Sequence, residues 1–245
     1  MEIRVGCCGW GFFRPANFFG RDWKEKFSNT LQAYAKLFSL VEVNSTFYKL
    51  PKLETAKKWY EDAREMNESF EFTVKCPKLI THEDAFRTDA SREAYGATRE
   101  IARTLGARVL LLQTPASFKP TKDNLDNLKR FISKIDRRGL TLVWEPRGKE
   151  WEDELLMELC KSLDLIHCVD PLRRDPIYFS RKRLAYFRLH GFGRRSMYSY
   201  KFSKEELKLV LEKIEDLSAK VKRCYVLFNN IYMYEDALEF SKMIS

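Results

Sequence analysis

Side chains able to transfer protons or to attack a carbonyl group stand where several short apolar segments of the sequence end. Four such residues are Glu42, Lys75, Glu145 and His190. Carboxylates, imidazoles and amines are the usual general acids and bases of enzymes, and a lysine amine can also form a Schiff base. These four residues are the predicted catalytic group.

Other side chains near the same segment ends are suited to binding a substrate. Arginine binds phosphate through two parallel hydrogen bonds, tyrosine stacks on flat rings, and side-chain amides both donate and accept hydrogen bonds. Together they indicate a site for an anionic substrate. The predicted substrate-binding residues are Asn44, Tyr48, Gln113, Arg147, Asp170, Arg188, Arg194, Arg195, Tyr198, Asn229 and Asn230.

Strand periodicity explains how residues so far apart in sequence can share one site. Glu42 and Asn44 alternate with two valines in one apolar segment. In a later segment, Arg188 and His190 alternate with Phe and Leu in the same way. Because successive side chains of a strand point to opposite faces, the polar side chains of each segment share one face.

The apolar segments alternate with longer amphipathic ones, as strands alternate with helices. Eight strands are predicted, over 3–8, 39–44, 70–75, 108–113, 140–145, 165–169, 184–190 and 223–229. Seven helices are predicted, over about 29–38, 54–66, 91–105, 122–137, 151–162, 204–219 and 234–244. This alternation indicates α/β architecture with a parallel sheet, and eight strands predict a closed (β/α)8 TIM-type barrel. The polar strand ends then meet at the C-terminal end of the barrel, where enzymes of this fold have their active sites.

One link of the predicted barrel departs from the alternation. Residues 170–183 contain Pro171 and Pro176 and have no helical periodicity, so we expect the sixth helix to be missing or replaced by a loop. A doubly wound sheet is the open alternative, but its glycine-rich phosphate turn is absent, since the first strand is followed by GWGFFRP. With no linker or repeat, residues 1–245 are predicted to form a single TIM-barrel domain.

The composition limits the class of protein. The 245-residue chain is 44% hydrophobic and 14% aromatic, which excludes a disordered chain. No apolar run approaches the ~20 residues that span a bilayer, and no secretory signal pattern is present, so we expect no membrane partner and a cytoplasmic location. The six cysteines form no C-x-x-C pair, which predicts free thiols rather than disulfides or a zinc site.

Much of the net charge of +9 lies in one stretch. Residues 170–201 hold nine basic residues against two acidic ones, together with seven aromatic residues. This mixture is typical of surfaces that bind single-stranded nucleic acid, which is the predicted partner, while a solvated basic face is the alternative. Arg181, Lys182 and Arg183 precede the seventh strand and are expected at the opposite end of the barrel. The arginines expected near the site are Arg173, Arg174, Arg188, Arg194 and Arg195.

A divalent metal site is the alternative use of the acidic strand ends. Lys75, Arg147 and Arg188 place three positive charges beside three carboxylates, whereas a preformed dication site keeps a net negative charge. The balance favours ion pairs that open for an anionic substrate, so no metal is assigned and the cofactor is left open. His167 is expected on the outer face of its strand, packed rather than catalytic. In the metal-site alternative, the ligands would be Glu42, Glu145, Asp170 and His190, with His82 and His167 as further candidates.

Six motifs of the chain occur in the same order in a known family. They are VEVNSTFYKLP (41–51), FTVKCPKLITH (72–82), LLLQTPASF (110–118), VWEPR (143–147), YFRLHG (186–191) and VLFNN (226–230). With CCGW at 7–10, they cover essentially the whole chain, which resembles the YecE-like family, domain of unknown function 72. The resemblance implies a TIM barrel and leaves the activity open. The family commonly has T-S-G-W at the CCGW position, so Cys8 stands where a hydroxyl is common.

Three functions fit these residues. The first is an enzyme acting on a phosphate-containing or nucleic-acid substrate, with arginines as phosphate ligands and Glu145 or Glu42 as general base. The second is a sugar-phosphate lyase or isomerase in which Lys75 acts electrostatically or as a Schiff base. The third is a non-catalytic nucleic-acid-binding protein whose charged strand ends are merely paired. An open groove would favour a polymeric substrate, and a closed pocket a small molecule.

Overall fold

The computed structural model describes residues 1–193 and 198–244, and its strands form one closed sheet. The strands are β1 (Glu2–Cys7), β2 (Leu40–Val43), β3 (Glu71–Lys75), β4 (Val109–Thr114), β5 (Thr141–Pro146), β6 (Leu165–Val169), β7 (Leu184–Leu189) and β8 (Arg223–Phe228). Each strand pairs in parallel with the next, and β8 pairs with β1. The predicted (β/α)8 barrel is confirmed.

Helices cover the outside of the barrel. They are α1 (Ala16–Phe19), α2 (Thr30–Leu37), α3 (Leu53–Met66), α4 (Asp89–Thr104), α5 (Lys122–Lys134), α6 (Asp153–Leu163), α7 (Lys204–Glu215) and α8 (Met233–Met243). The short α1 is not predicted by the sequence pattern. Ser203 and Glu206 form a capping box that starts α7, satisfying backbone N–H groups that have no partner within the helix. Among the described residues, no helix is both long and apolar enough to cross a membrane.

Helix α7 ends four residues before its predicted limit. The chain turns at 216–220, where the guanidinium of Arg183 donates to the carbonyl oxygens of Ala219 and Lys220 at 2.8 and 3.1 Å. These contacts satisfy two carbonyl oxygens of the turn. They also place Arg183 at the N-terminal end of the strands, so part of the basic stretch 170–201 points away from the candidate site.

The link between β6 and β7 contains no helix, as predicted. Residues 170–183 run across the barrel surface, and the carbonyl oxygen of Tyr178 accepts a hydrogen bond from the backbone N–H of His167. Ile177 and Phe179 pack against the core in place of a helix. The loop therefore covers this side of the barrel and leaves the C-terminal end of β6 close to that of β7.

Two apolar layers hold the structure together. The larger layer lies between strands and helices, and the smaller one fills the barrel interior below the charged residues. Gly6 of β1 is required where β1 approaches β2, because a side chain there would collide with the carbonyl oxygen of Leu40. The interior residues come from alternate positions of the strands: Cys8, Leu40, Val109, Leu111, Val143, Ile166, Cys168, Leu184, Tyr186, Tyr225 and Leu227.

Candidate functional site

Inward-facing charged side chains of β2, β5 and β7 meet just above the interior apolar layer. Arg188 donates from Nη1 to Oε2 of Glu145 at 2.5 Å and from Nη2 to Oε1 of Glu42 at 2.8 Å. The side chains of Arg188 and Glu42 are completely buried. We name Glu42, Glu145, Arg147, Arg188 and His190 the buried ion cluster. Arg188 holds its two carboxylates together across the barrel.

The second oxygen of Glu42 is also occupied. The hydroxyl of Tyr186 donates to Oε2 of Glu42 at 2.8 Å, and the hydroxyl of Thr73 lies 2.9 Å from that of Tyr186. Because Tyr186 uses its proton on Glu42, Thr73 must donate to the tyrosine oxygen. Glu42 is thus bound at both oxygens and has no exposed surface.

The carboxylate of Glu145 is shared between two arginines. Its Oε1 accepts hydrogen bonds from Nε and Nη2 of Arg147 at 2.9 and 2.7 Å, while Oε2 faces Arg188. Burial alone would raise the pKa of Glu145, but the charges of Arg188 and Arg147 outweigh it and hold the pKa below its usual range. Glu145 therefore stays ionised.

His190 is a neutral member of the buried ion cluster. Burial, followed by the nearby Arg188 and Arg147, lowers the pKa of His190 to about 3, against the opposing effect of Glu145. Nη2 of Arg147 lies 2.7 Å from Nε2 of His190. A guanidinium can only donate, so Nε2 accepts and the ring proton is on Nδ1. Oδ2 of Asp170 accepts from the backbone N–H of His190 at 3.1 Å and so anchors the end of β7.

Lys75 extends from the end of β3 beside the buried ion cluster and is only 7% exposed. Its Nζ lies 4.0 Å from the centre of the Phe47 ring. Burial and then the charge of Arg188 lower the pKa of Lys75 to about 8, even though Glu42 and Glu145 act in the other direction. The pKa of the neighbouring His82 is also lowered, by burial, by Lys75 and by Arg147. This side of the barrel end thus combines a partly neutral amine with a neutral imidazole.

Two cavities open beside the buried ion cluster, between the loops that follow β1, β2 and β8. The first cavity, of about 600 Å³, and the second cavity, of about 420 Å³, share Cys8, Phe12, Asn44 and Met233 as lining residues. The side chain of Phe12 is 87% exposed and stands between them. The two cavities therefore form a trough across the end of the barrel.

Four further predicted binding residues line this trough. Tyr198, Asn229 and Asn230 line the first cavity, and Tyr48 lines the second. Tyr198 also packs against His190, with ring centres 5.8 Å apart. Gln113 is half-buried on β4, in register with Glu145 of β5. Arg194 and Arg195 fall outside the described residues.

Several residues that complete the candidate site are not among those predicted from the sequence. Tyr186 could have been found, because it alternates with Arg188 on one face of β7. Phe12 lies in a loop and Phe47 ends a short 3₁₀ helix (Ser45–Phe47), and neither segment is long enough for periodicity to indicate which way a side chain points. Cys8 lies beside Glu42 and Arg188, and burial raises the pKa of its thiol well above the ordinary value, so it is a protonated lining group.

The acidic residues at this end of the barrel are arranged for ion pairing. Within residues 1–193 and 198–244, no group of three or more His, Cys, Asp or Glu side chains is placed to hold a metal ion. The six cysteines are buried as free thiols. The carboxylates of Glu42 and Glu145 already accept hydrogen bonds from arginines, and any role for them in binding or catalysis must be compatible with these bonds.

His167 lies apart from the site. It sits between the interior residues Ile166 and Cys168, so its side chain is on the outer face of β6, and it is 1% exposed. Its Nδ1 is buried without a hydrogen-bond partner in the described part of the chain. Burial and then Arg174 lower the pKa of His167 to about 4. The imidazole is therefore neutral and packed.

The low pKa of His167 is expected to make the protein less stable in mild acid. The unfolded chain takes up this proton near pH 6.5, and the folded chain only near pH 4, so stability falls as the pH drops through that window. The expected loss from His167 is about 2 kcal/mol between neutral pH and ~5. Urea denaturation of His167→Gln should show a shallower pH dependence than the wild type. Parallel curves for the two proteins would contradict this assignment.

Comparison with known sequences identifies a family that matches almost the whole chain. The model of the family described as "Protein of unknown function DUF72" matches residues 4–245. UPF0759 protein YecE of Escherichia coli K12 is 34% identical over 100 residues, which cover 40% of this chain and 35% of YecE, so the match spans about a third of that relative. UPF0759 protein YunF of Bacillus subtilis 168 is 22% identical over 93% of this chain and 88% of YunF.

A solved structure covers the chain more completely. The crystal structure of a DUF72 family protein from Thermotoga maritima MSB8 is 28% identical, covers 100% of this chain and 99% of its own, and superimposes with a TM-score of 0.79. Both the family model and this structure extend over nearly all of the sequence. This chain belongs to the DUF72 family of proteins of unknown function.

Proposed function

We propose that this chain is an enzyme that acts on a phosphate-containing substrate at the C-terminal end of the barrel, and that single-stranded nucleic acid is its substrate class. The observation that carries the proposal is the position of the exposed apolar side chains. Among the described residues, six of the ten large exposed hydrophobic side chains lie in loops that follow β1, β2, β7 and β8. We name these six the apolar rim: Phe12, Tyr48, Phe192, Tyr198, Ile231 and Tyr232.

The exposed aromatic rings of the apolar rim lie around the charged residues at the end of the barrel. This arrangement suits a ligand that carries several flat rings and a charged backbone. A base stacked on an aromatic side chain contributes ~1–3 kcal/mol, whatever its identity. Apolar patches on soluble proteins commonly mark binding surfaces. Phe12 divides the trough into two parts, each wide enough for one base, which supports a polymer rather than a single small molecule.

Cationic side chains beside the trough suit the phosphates. Arg14 lines the first cavity, Lys75 and Arg147 lie at the buried ion cluster, and Arg173 stacks on the ring of Phe192 at 4.6 Å. Arg188 was predicted to bind substrate, but it is completely buried between two carboxylates. We therefore assign Arg188 as a positioning residue.

The proton acceptor must also be reassigned within this proposal. Glu42 and Glu145, the general bases expected from sequence, have both oxygens occupied by hydrogen-bond donors, and the arginines hold the pKa of Glu145 below its usual range. Lys75, with a pKa of about 8, has an amine that is partly neutral near physiological pH. Lys75 is the group that would act as the general base, and Arg147 would hold the adjacent phosphate.

The double variant Phe12→Ala, Tyr48→Ala is expected to bind a short fluorescein-labelled single-stranded DNA at least about 30-fold more weakly than the wild type. Phe12 borders both cavities and Tyr48 lines the second, so the two substitutions remove separate stacking surfaces. Fluorescence anisotropy at ~50 and ~200 mM salt measures the affinity and its salt dependence. The control is Met157→Ala with Leu209→Ala, two exposed apolar residues on α6 and α7.

The outcomes separate the three functions. Binding that weakens with salt and with the rim variant, but not with the control, supports the proposal. No detectable binding at low salt removes both nucleic-acid functions and leaves a small phosphate-bearing substrate. Binding that the rim variant leaves unchanged would show that the contacts lie elsewhere on the basic surface.

A further inference from the structure

The side-chain amide of Asn230 is held in one orientation. Its Nδ2 donates to the backbone oxygen of Tyr200 at 2.7 Å and to Oδ2 of Asp236 at 2.6 Å. A backbone carbonyl can only accept a hydrogen bond, so the amide nitrogen must face Tyr200. The carbonyl oxygen Oδ1 therefore faces the opposite way.

That oxygen is a buried acceptor. Asn230 is 5% exposed, and its Oδ1 has no hydrogen-bond partner in the described part of the chain. Asn230 lines the first cavity, and so does Asn44, whose Oδ1 is likewise buried without a partner. Buried acceptors are almost always satisfied, so a group that donates to them from the cavity would bind favourably.

The rest of the first cavity is suited to a flat ring. Phe12, Phe18, Tyr198 and Tyr232 supply aromatic walls, and Arg14 and Glu235 supply one positive and one negative charge at the lining. A volume of about 600 Å³ accommodates one base with its sugar and phosphate. The ligand that fits is thus an aromatic ring that carries a hydrogen-bond donor.

We propose that the first cavity selects a nucleobase with an exocyclic amino group, which donates to Oδ1 of Asn230 and Oδ1 of Asn44. This inference rests on the proposed function and adds base selectivity to it. An amino group has two hydrogens and can serve both acceptors. Thymine has a single N–H between two carbonyl oxygens, so satisfying one asparagine oxygen brings a base oxygen towards the other. Adenine and cytosine are favoured over thymine.

The sharpest test changes the ligand by one group. Single-stranded oligodeoxyadenylate is compared with the same oligonucleotide in which purine replaces adenine, so that only the amino group is lost while stacking is kept. Competition against a labelled reference strand should show about tenfold weaker binding of the purine strand. Oligodeoxycytidylate should likewise compete about tenfold better than oligothymidylate.

Two variants assign the effect to the asparagine. Asn230→Ala removes the acceptor, and the ratio between adenine and purine strands should fall towards one. Asp236→Ala is the matched control, because it removes one anchor of Nδ2 while Tyr200 still orients the amide. In Asp236→Ala, the ratio between the binding of adenine and purine strands should stay as it is in the wild type. A ratio unchanged in Asn230→Ala would overturn the assignment.

The remaining outcomes are also decisive. Equal binding of adenine and purine strands by the wild type overturns the inference, and the proposed function survives if that binding is tight and salt-dependent. A preference for ribose over deoxyribose strands that is independent of the amino group would show that a sugar hydroxyl is the donor, and also overturns it. Failure of every strand to bind overturns the inference and the proposed function together.

Discussion

Replacing Arg188 with methionine is expected to lower the free energy of unfolding by about 3–5 kcal/mol, because two buried carboxylates lose the cation that they share. Both terminal nitrogens of Arg188 are bound, to Glu145 and to Glu42, in a part of the barrel that water does not reach. Methionine fills much of the same volume, so the loss measures uncompensated charge more than a cavity. Urea denaturation near neutral pH gives the difference.

A surface arginine provides the matched control. Arg138 is exposed and pairs with Asp136 at 2.7 Å, so Arg138→Met should change the stability by less than about 1 kcal/mol. Adding Glu42→Gln and Glu145→Gln to Arg188→Met removes the stranded charges and should restore most of the lost stability. A loss below about 1 kcal/mol for Arg188→Met alone would contradict the role given to the buried ion cluster.

The barrel itself could be predicted because it depends on local patterns. Eight short apolar segments separated by amphipathic ones specify a parallel sheet, and the alternation along β2 and β7 indicates which face each side chain takes. Pro171 and Pro176 likewise indicated that the link before β7 has no helix. A single sequence contains these signals because each of them depends only on residues that are close together along the chain.

Ion pairs at the strand ends were expected from the charge balance, but which residues pair could not be predicted in the same way. The alternation places Glu42, Glu145 and Arg188 on the inner face, but which of them touch depends on the register and closure of the barrel. The arginine was therefore expected to face substrate, whereas it lies between the two carboxylates. The exposure of Phe12 and the fixed amide of Asn230 depend on loop contacts distant in sequence, such as Asn230 with Tyr200.

These differences change the chemistry assigned to the end of the barrel. Charged residues that looked like four independent catalytic candidates divide into a paired group, Glu42 and Glu145, and a group with adjusted proton affinity, Lys75 and His190. The arginines hold the pKa of Glu145 below its usual range, while burial and nearby arginines lower the pKa of His190 and bring that of Lys75 to about 8. In the proposed reaction, proton transfer would therefore depend on a nitrogen base, Lys75, rather than on a carboxylate.

The amine of Lys75 is expected to react as a group with a pKa of about 8, far below an ordinary lysine at 10.5. Burial disfavours the charged ammonium, and Arg188 adds repulsion, so the neutral nucleophile forms at lower pH. At neutral pH its neutral fraction should exceed that of a surface lysine by a few hundredfold, on the order of the pKa difference. Competitive acetylation across the pH range, followed by peptide mass spectrometry, gives the apparent pKa of each lysine independently of how shielded it is.

Lys78 is the internal control for this titration, since it lies in the loop that follows the same strand. Its Nζ pairs with Glu83 at 2.8 Å, and that contact raises the pKa of Lys78. The two lysines should therefore titrate in opposite directions from the ordinary value. Glu145→Gln removes a charge that supports the ammonium of Lys75, so the pKa of Lys75 should fall further in that variant. If Lys75 titrates with the surface lysines, the amine is a permanent cation at physiological pH, and its place in this fold is that of a phosphate ligand rather than a base or nucleophile.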